Sequence, residues 1–214
     1  MMKLGRFAIV AVGLAGCATS RPPTVDFSEA AKGYRAGDYT AVFKSWTRHF
    51  QLVQDVGTVM EIWATFMSWD FRQAYIAKYA KAYDLPDSER DALAKSQKEA
   101  ARAVYEIHLV AQSTTDTWID FEKKSSPWRL TLLDGTGAEI APTTIKVEKL
   151  PELYENEFFP TKTPFSRTYT VRFVRPDGGG ESFAGPTSGR LILRVDSPVG
   201  KVEVVWESRE AGSS

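Results

Sequence analysis

Two runs, Thr47-Arg48-His49-Phe50-Gln51-Leu52-Val53 and Val59-Met60-Glu61-Ile62-Trp63-Ala64-Thr65-Phe66, with Asp55-Val56-Gly57 between them, decide how this chain is read. Both are rich in aromatic and β-branched residues around a turn signal, which predicts a β-hairpin over 47–67. In the second run Met60, Ile62, Ala64 and Phe66 alternate with Glu61 and Thr65. That is the period of a strand with one buried face. Val59, Met60, Trp63 and Met67 also share a helical face, so a helix stays open as the alternative. With a hairpin here, the next strand along the chain pairs back onto 47–67 and the domain is discontinuous.

Working outward, Tyr39, Val42, Phe43 and Trp46 form a helical stripe before the first run, and Ser28 is placed to cap a short helix reaching Arg35. After the second run Phe71, Tyr75, Tyr79 and Tyr83 recur every four residues. Asp84-Leu85-Pro86-Asp87 ends that helix and starts a charged one, so a helical pair is expected at about 69–102. Tyr105, Ile107, Leu109 and Ala111 then alternate with Glu106 and His108, giving a strand at 104–112. Alternation returns around Leu130, Ile145, Val171, Leu193 and Val204, separated by turn clusters such as Ser197-Pro198-Val199-Gly200. The expected fold class is α+β: an antiparallel β-sandwich, with an immunoglobulin-like form in view, carrying an inserted helical pair. The expected single domain spans 28–210, with 103–207 its β-rich part.

The N-terminus decides location. Lys3 and Arg6 precede an apolar stretch from Phe7 to Leu14, the layout of a secretory signal over residues 1–16. That stretch falls far short of the ~20 residues that span a bilayer. It ends in Leu14-Ala15-Gly16-Cys17, which resembles the bacterial lipobox. The resemblance implies cleavage before Cys17, lipid on its thiol and acyl chains enough for stable membrane anchoring. Ala18 stands where an Asp often signals retention at the inner membrane, so the resemblance favours the outer membrane of a Gram-negative cell, with the face left open. Residues 17–27, polar and carrying Pro22 and Pro23, are expected as a tether. Trp46-Thr47-Arg48, Ala64-Thr65-Phe66, Phe71-Arg72 with Ala74-Tyr75, Trp128-Arg129-Leu130 and Ala141-Pro142 together resemble uncharacterised predicted lipoproteins of Gram-negative bacteria. That resemblance implies no particular activity.

Composition narrows the chemistry. The whole chain balances 27 Lys and Arg against 27 Asp and Glu, and loss of Lys3 and Arg6 leaves it slightly acidic. No basic block invites nucleic acid. With one cysteine, no internal disulfide forms. The two histidines, His49 and His108, both read as surface imidazoles on the polar sides of strands; they would meet if those strands shared a sheet. Neither has the spacing of a metal pair. No G-x-S-x-G elbow is present, and Ser166, Ser182 and Ser188 lie in loop-like contexts. Gly178-Gly179-Gly180 lacks a following helix and reads as a turn rather than a phosphate cradle.

Two stretches remain as candidate sites. Pro151 to Arg167 holds Glu152, Glu155 and Glu157 among Leu153, Tyr154, Phe158, Phe159 and Phe165, long enough to be a functional loop. It lacks the regular oxygen offsets of a calcium loop. It reads either as a partner-binding segment or as a crossover whose aromatics cap the sandwich. The aromatics Trp63, Trp69, Phe71 and Tyr75 read either as core or as a groove for an apolar ligand. The expected function is a non-enzymatic lipoprotein, lipidated at Cys17, that binds or scaffolds an envelope protein, with no catalytic residue, metal or cofactor. The alternatives are a carrier of small apolar ligands and a lipid-anchored hydrolase.

Overall fold

The computed structural model describes residues 22–54, 57–161, 163–175 and 189–209, leaving Cys17 and Gly178-Gly179-Gly180 outside the described residues. The 47–67 stretch is a hairpin: β1 (Thr47–Gln54) pairs antiparallel with β2 (Gly57–Phe66), with Thr47 opposite Thr65 and Gln51 opposite Glu61. Met60, Ile62, Ala64 and Phe66 all point into the core, each under 5% exposed. Period 2 prevails because four consecutive inward positions are apolar, and a helix would scatter them.

Before the hairpin, a 3₁₀ turn (Ala36–Asp38) leads into α1 (Tyr39–Trp46), which buries Tyr39, Val42, Phe43 and Trp46. The helix expected after Ser28 does not form. The Ser28 N–H instead bonds Asp26 Oδ1 at 2.8 Å, and Gly33 takes a positive φ of 61°. After the hairpin come α2 (Trp69–Ala82), capped by Ser68 Oγ on the Phe71 N–H, and α3 (Asp87–Ala103), which buries no residue. β3 (Val104–Gln112) then returns to β2, with Ile107 opposite Phe66.

The remaining elements are β4 (Arg129–Asp134), β5 (Glu139–Ile140), β6 (Thr144–Glu148), α4 (Glu152–Phe158), β7 (Ser166–Val174), β8 (Arg190–Ser197) and β9 (Gly200–Glu207). The fold is therefore α+β with two antiparallel sheets, ordered β1-β2-β3-β7-β6 and β5-β4-β8-β9. One apolar core holds side chains of both, including Ile107, Leu109, Tyr169 and Val171 from the first and Leu132, Leu193, Val204 and Trp206 from the second. Helix α4 lies inside the stretch read as β-rich.

The outer face of the five-stranded sheet is covered around Glu106, His108 and Thr168, which corrects the reading of His108. Helices α2 and α4 lie over it. Phe159 stacks on the His108 ring at 3.7 Å between centroids, and Thr168 Oγ1 donates to Glu155 Oε1 at 3.0 Å. His108 is 7% exposed and Glu155 1%. Arg72 and Arg172 meet on Glu106 at 3.1 and 2.7 Å, neutralising a carboxylate under the helices.

Residues 22–27, read as the end of a tether, belong to the folded body. The Val25 N–H donates to Glu207 O at 2.8 Å, and the Arg209 N–H donates to Val25 O at 2.9 Å. Val25 is 2% exposed and Phe27 packs edge-on to Trp46 at 5.5 Å. An extended apolar residue beside a free strand edge joins the ladder rather than staying in water.

Candidate functional site

The strands define two ends. At the near end, where Val25 meets Glu207, the rings of Phe27, Trp46, Phe66 and Trp206 pack with centroids 5.5–6.2 Å apart. Trp206 Nε1 donates to Trp46 O, and Trp46 Nε1 to Asp70 Oδ2, each at 2.8 Å. Arg48, 7% exposed, spans the same corner, donating to Val205 O, Ser45 O, Thr47 O and Pro23 O. Every polar group of that ring cluster has a partner, so this end is closed.

The far end is different. There β1, at Leu52, closes on the start of β9 at Gly200. A Cβ at Gly200 would lie 2.8 Å from Leu52 Cδ1, so glycine permits this approach. Beside it lies an open groove of about 900 Å³, whose walls include Thr58, Gln112, Ser113, Thr114, Pro164 and Phe165. Its floor follows from register: Glu61 opposes Gln112, and Gln112 opposes Ser166, one polar row across three strands. Phe165 is 75% exposed on the rim and Val53 is 58% exposed near the hairpin turn.

The polar groups of the groove are held in place. His49 Nε2 and Gln51 Nε2 both bond Glu61 Oε1, at 2.6 and 3.0 Å, and His49 stacks on Trp63 at 4.8 Å. Thr163 Oγ1 donates to Gln112 Oε1 at 2.6 Å, and Ser166 Oγ donates to Thr163 O at 2.7 Å, pinning the turn that carries Phe165. Arg167 is paired with Asp120, which Lys123 also holds at 2.5 Å. The Lys123 hydrogen bond, and then Arg167, keep the Asp120 carboxyl below its ordinary range.

The sequence candidates divide between core and groove. Of Pro151 to Arg167, the first part folds as α4 and buries Glu155, Phe158 and Phe159; the last part, Pro164 to Arg167, lines the groove. Ser166 is in the groove, while Ser182 and Ser188 lie outside the described residues. The four aromatics do not form a groove: Phe71 and Tyr75 are core, Trp63 lies under His49, and Lys98 stands 5.4 Å over Trp69. His49 and His108 share a sheet but do not meet, since one bonds Glu61 and the other is roofed by Phe159. Burial lowers the His108 pKa to about 4, and its Nε2 has no hydrogen-bond partner among the described residues. No group of three metal-ligating side chains stands together among the described residues.

Gln112, Ser113, Thr114, Ile119 and Asp120 went unread in the sequence. Their signal was the length of the Ser113–Trp128 connection, above the roughly 12–15 residues beyond which an unstructured loop is unusual.

No family model matches the chain, and no curated protein matches it in sequence. A crystal structure at 1.90 Å of a protein of unknown function from Burkholderia pseudomallei K96243 is similar at 14% identity, with a TM-score of 0.40, over 83% of this chain and 86% of that one.

Proposed function

We propose that this chain is a lipid-anchored envelope lipoprotein, attached through Cys17 at the outer membrane, that holds a protein partner at the far end of its strands. The observation that carries the reading is the separation of the two ends. The chain is held to the body from Pro23, whose carbonyl accepts from Arg48 at the near end, six residues after Cys17. Those residues reach at most about 21 Å. The groove and the exposed Phe165 lie at the opposite end, roughly 25 Å away along β9. An anchor at one end and a recessed polar floor with an aromatic rim at the other suits a module that presents its far end to a partner.

The same reading takes the two sheets as an immunoglobulin-like sandwich with α2 and α3 inserted between its first two strands. The orders β2-β3-β7-β6 and β5-β4-β8-β9 support it, since they follow the layering A-B-E-D against C′-C-F-G. Strand β1 is then an addition to the edge.

The test places a photo-crosslinking amino acid at position 165, and as a control at Tyr83 on the helical flank, in the native host. Wild type is expected in the outer-membrane fraction with one discrete protein adduct from position 165 and none from position 83. If Cys17→Ser fractionates like wild type, the anchor is overturned. If the anchored protein gives no protein adduct from position 165, the partner reading is overturned. A small apolar molecule found in the purified protein by native mass spectrometry would instead make the groove a carrier site, as its volume permits.

A further inference from the structure

Of the two charged residues that line the groove among the described residues, Arg167 is already matched by Asp120, whereas Glu61 is matched on one oxygen only. His49 and Gln51 both bond Oε1, so Oε2 accepts no hydrogen bond among the described residues. The Glu61 side chain is 20% exposed, enough to be reached and little enough for water to screen it incompletely. Its position is fixed from behind by the imidazole stacked on Trp63. A carboxylate set in a concave wall focuses its field into the concavity. On the opposite rim Phe165 offers an aromatic ring that the fold itself does not use.

We infer that the groove selects a partner segment carrying a lysine or arginine beside an apolar side chain, the cation on Glu61 Oε2 and the apolar group against Phe165. This rests on the partner-holding reading and names the chemistry of that partner. Charge complementarity is the argument. A partner carboxylate at the same place would meet Glu61 with like charge, and a wholly apolar segment would strip water from Glu61 with nothing in return. Gln112, opposite Glu61 in register, accepts from Thr163 through Oε1 and so offers its amide nitrogen as a neutral donor to the backbone of such a segment.

The test uses the ¹⁵N-labelled full chain in detergent micelles, titrated with N-acetyl-Phe-Lys-amide and, separately, N-acetyl-Phe-Glu-amide while amide shifts are followed. The lysine dipeptide is expected to shift Glu61, Gln112 and Phe165 saturably, at least tenfold more tightly than the glutamate dipeptide, with the preference shrinking as salt is raised. Glu61→Gln keeps an acceptor for Gln51 and is expected to remove the preference without shifting the melting temperature; Phe165→Ser is expected to weaken both dipeptides. Equal binding of the two dipeptides, no binding, or shifts confined to other residues would overturn the inference. The adduct from position 165 separates the two levels. A discrete adduct whose crosslinked peptide lacks Lys and Arg leaves the partner reading standing and overturns this one; no adduct overturns both.

Discussion

The two ends of the strands are built from similar residue types to opposite effect. At the near end Phe27, Trp46, Phe66 and Trp206 turn inward, and Arg48 and Asp70 satisfy the backbone and indole groups around them. At the far end Phe165 and Val53 face water, and the polar row Glu61, Gln112 and Ser166 lines an open floor. Aromatic content alone therefore does not distinguish a core from a binding surface. What distinguishes them is whether the rings are covered and whether a charged group beside them keeps an unmatched atom, as Glu61 does at Oε2 among the described residues.

That contrast can be broken most severely at Trp206. Trp206→Ala empties a fully buried site and orphans Trp46 O, and should cost about 3–5 kcal/mol in urea unfolding. A smaller effect, dependent on pH, sits under the helices. Because burial lowers the His108 pKa from 6.5 to about 4, the unfolded chain takes up a proton that the folded chain refuses. Stability from this residue is complete above pH 6.5 and declines as the pH falls toward 4, by about 3 kcal/mol. Unfolding curves at intervals across that range should show a shallower decline for His108→Leu than for wild type.

Arg48→Met keeps the apolar stem but strips the charged donors from the near-end carbonyls, and should cost about 2 kcal/mol with faster amide exchange around Val25. The smallest effect on stability is expected at the far end. Phe165→Ser should change unfolding by less than about 0.5 kcal/mol while abolishing the crosslinked adduct's formation when the probe is moved to Thr114 across the groove. A large loss of stability there would erase the distinction between the ends.

Much of this architecture was legible beforehand. The alternation of Met60, Ile62, Ala64 and Phe66 announced β2, and the four-residue recurrence from Phe71 announced α2, because each pattern spans enough turns or pleats to be unambiguous. Helix α4 was not readable: it has only seven residues, three of them glutamate. The polarity of His108 misled for another reason. Its strand alternates as if one face were wet, but that face is roofed by a helix that follows it by some forty residues. Alternation reports which residues face away from the sheet's partner and is blind to a second cover. For the groove, the aromatic-acidic segment ending at Arg167 was a usable pointer, whereas Gln112 and Glu61 became neighbours only through strand register.

The clasp at Val25 has a consequence for how the molecule is made. Its partners are Glu207 and Arg209, and Trp46 and Arg48 likewise wait for groups 160 and 157 residues further along the chain. A polypeptide threaded amino-terminus first through a narrow channel cannot close such a corner until its last strand has emerged. Until then Val25, Phe27 and Trp46 stay exposed, and the loop to be closed is nearly as long as the body itself. The same register that makes the finished near end tight thus keeps the emerging chain open until its last strand is present, and leaves its aromatic residues in need of shielding until then.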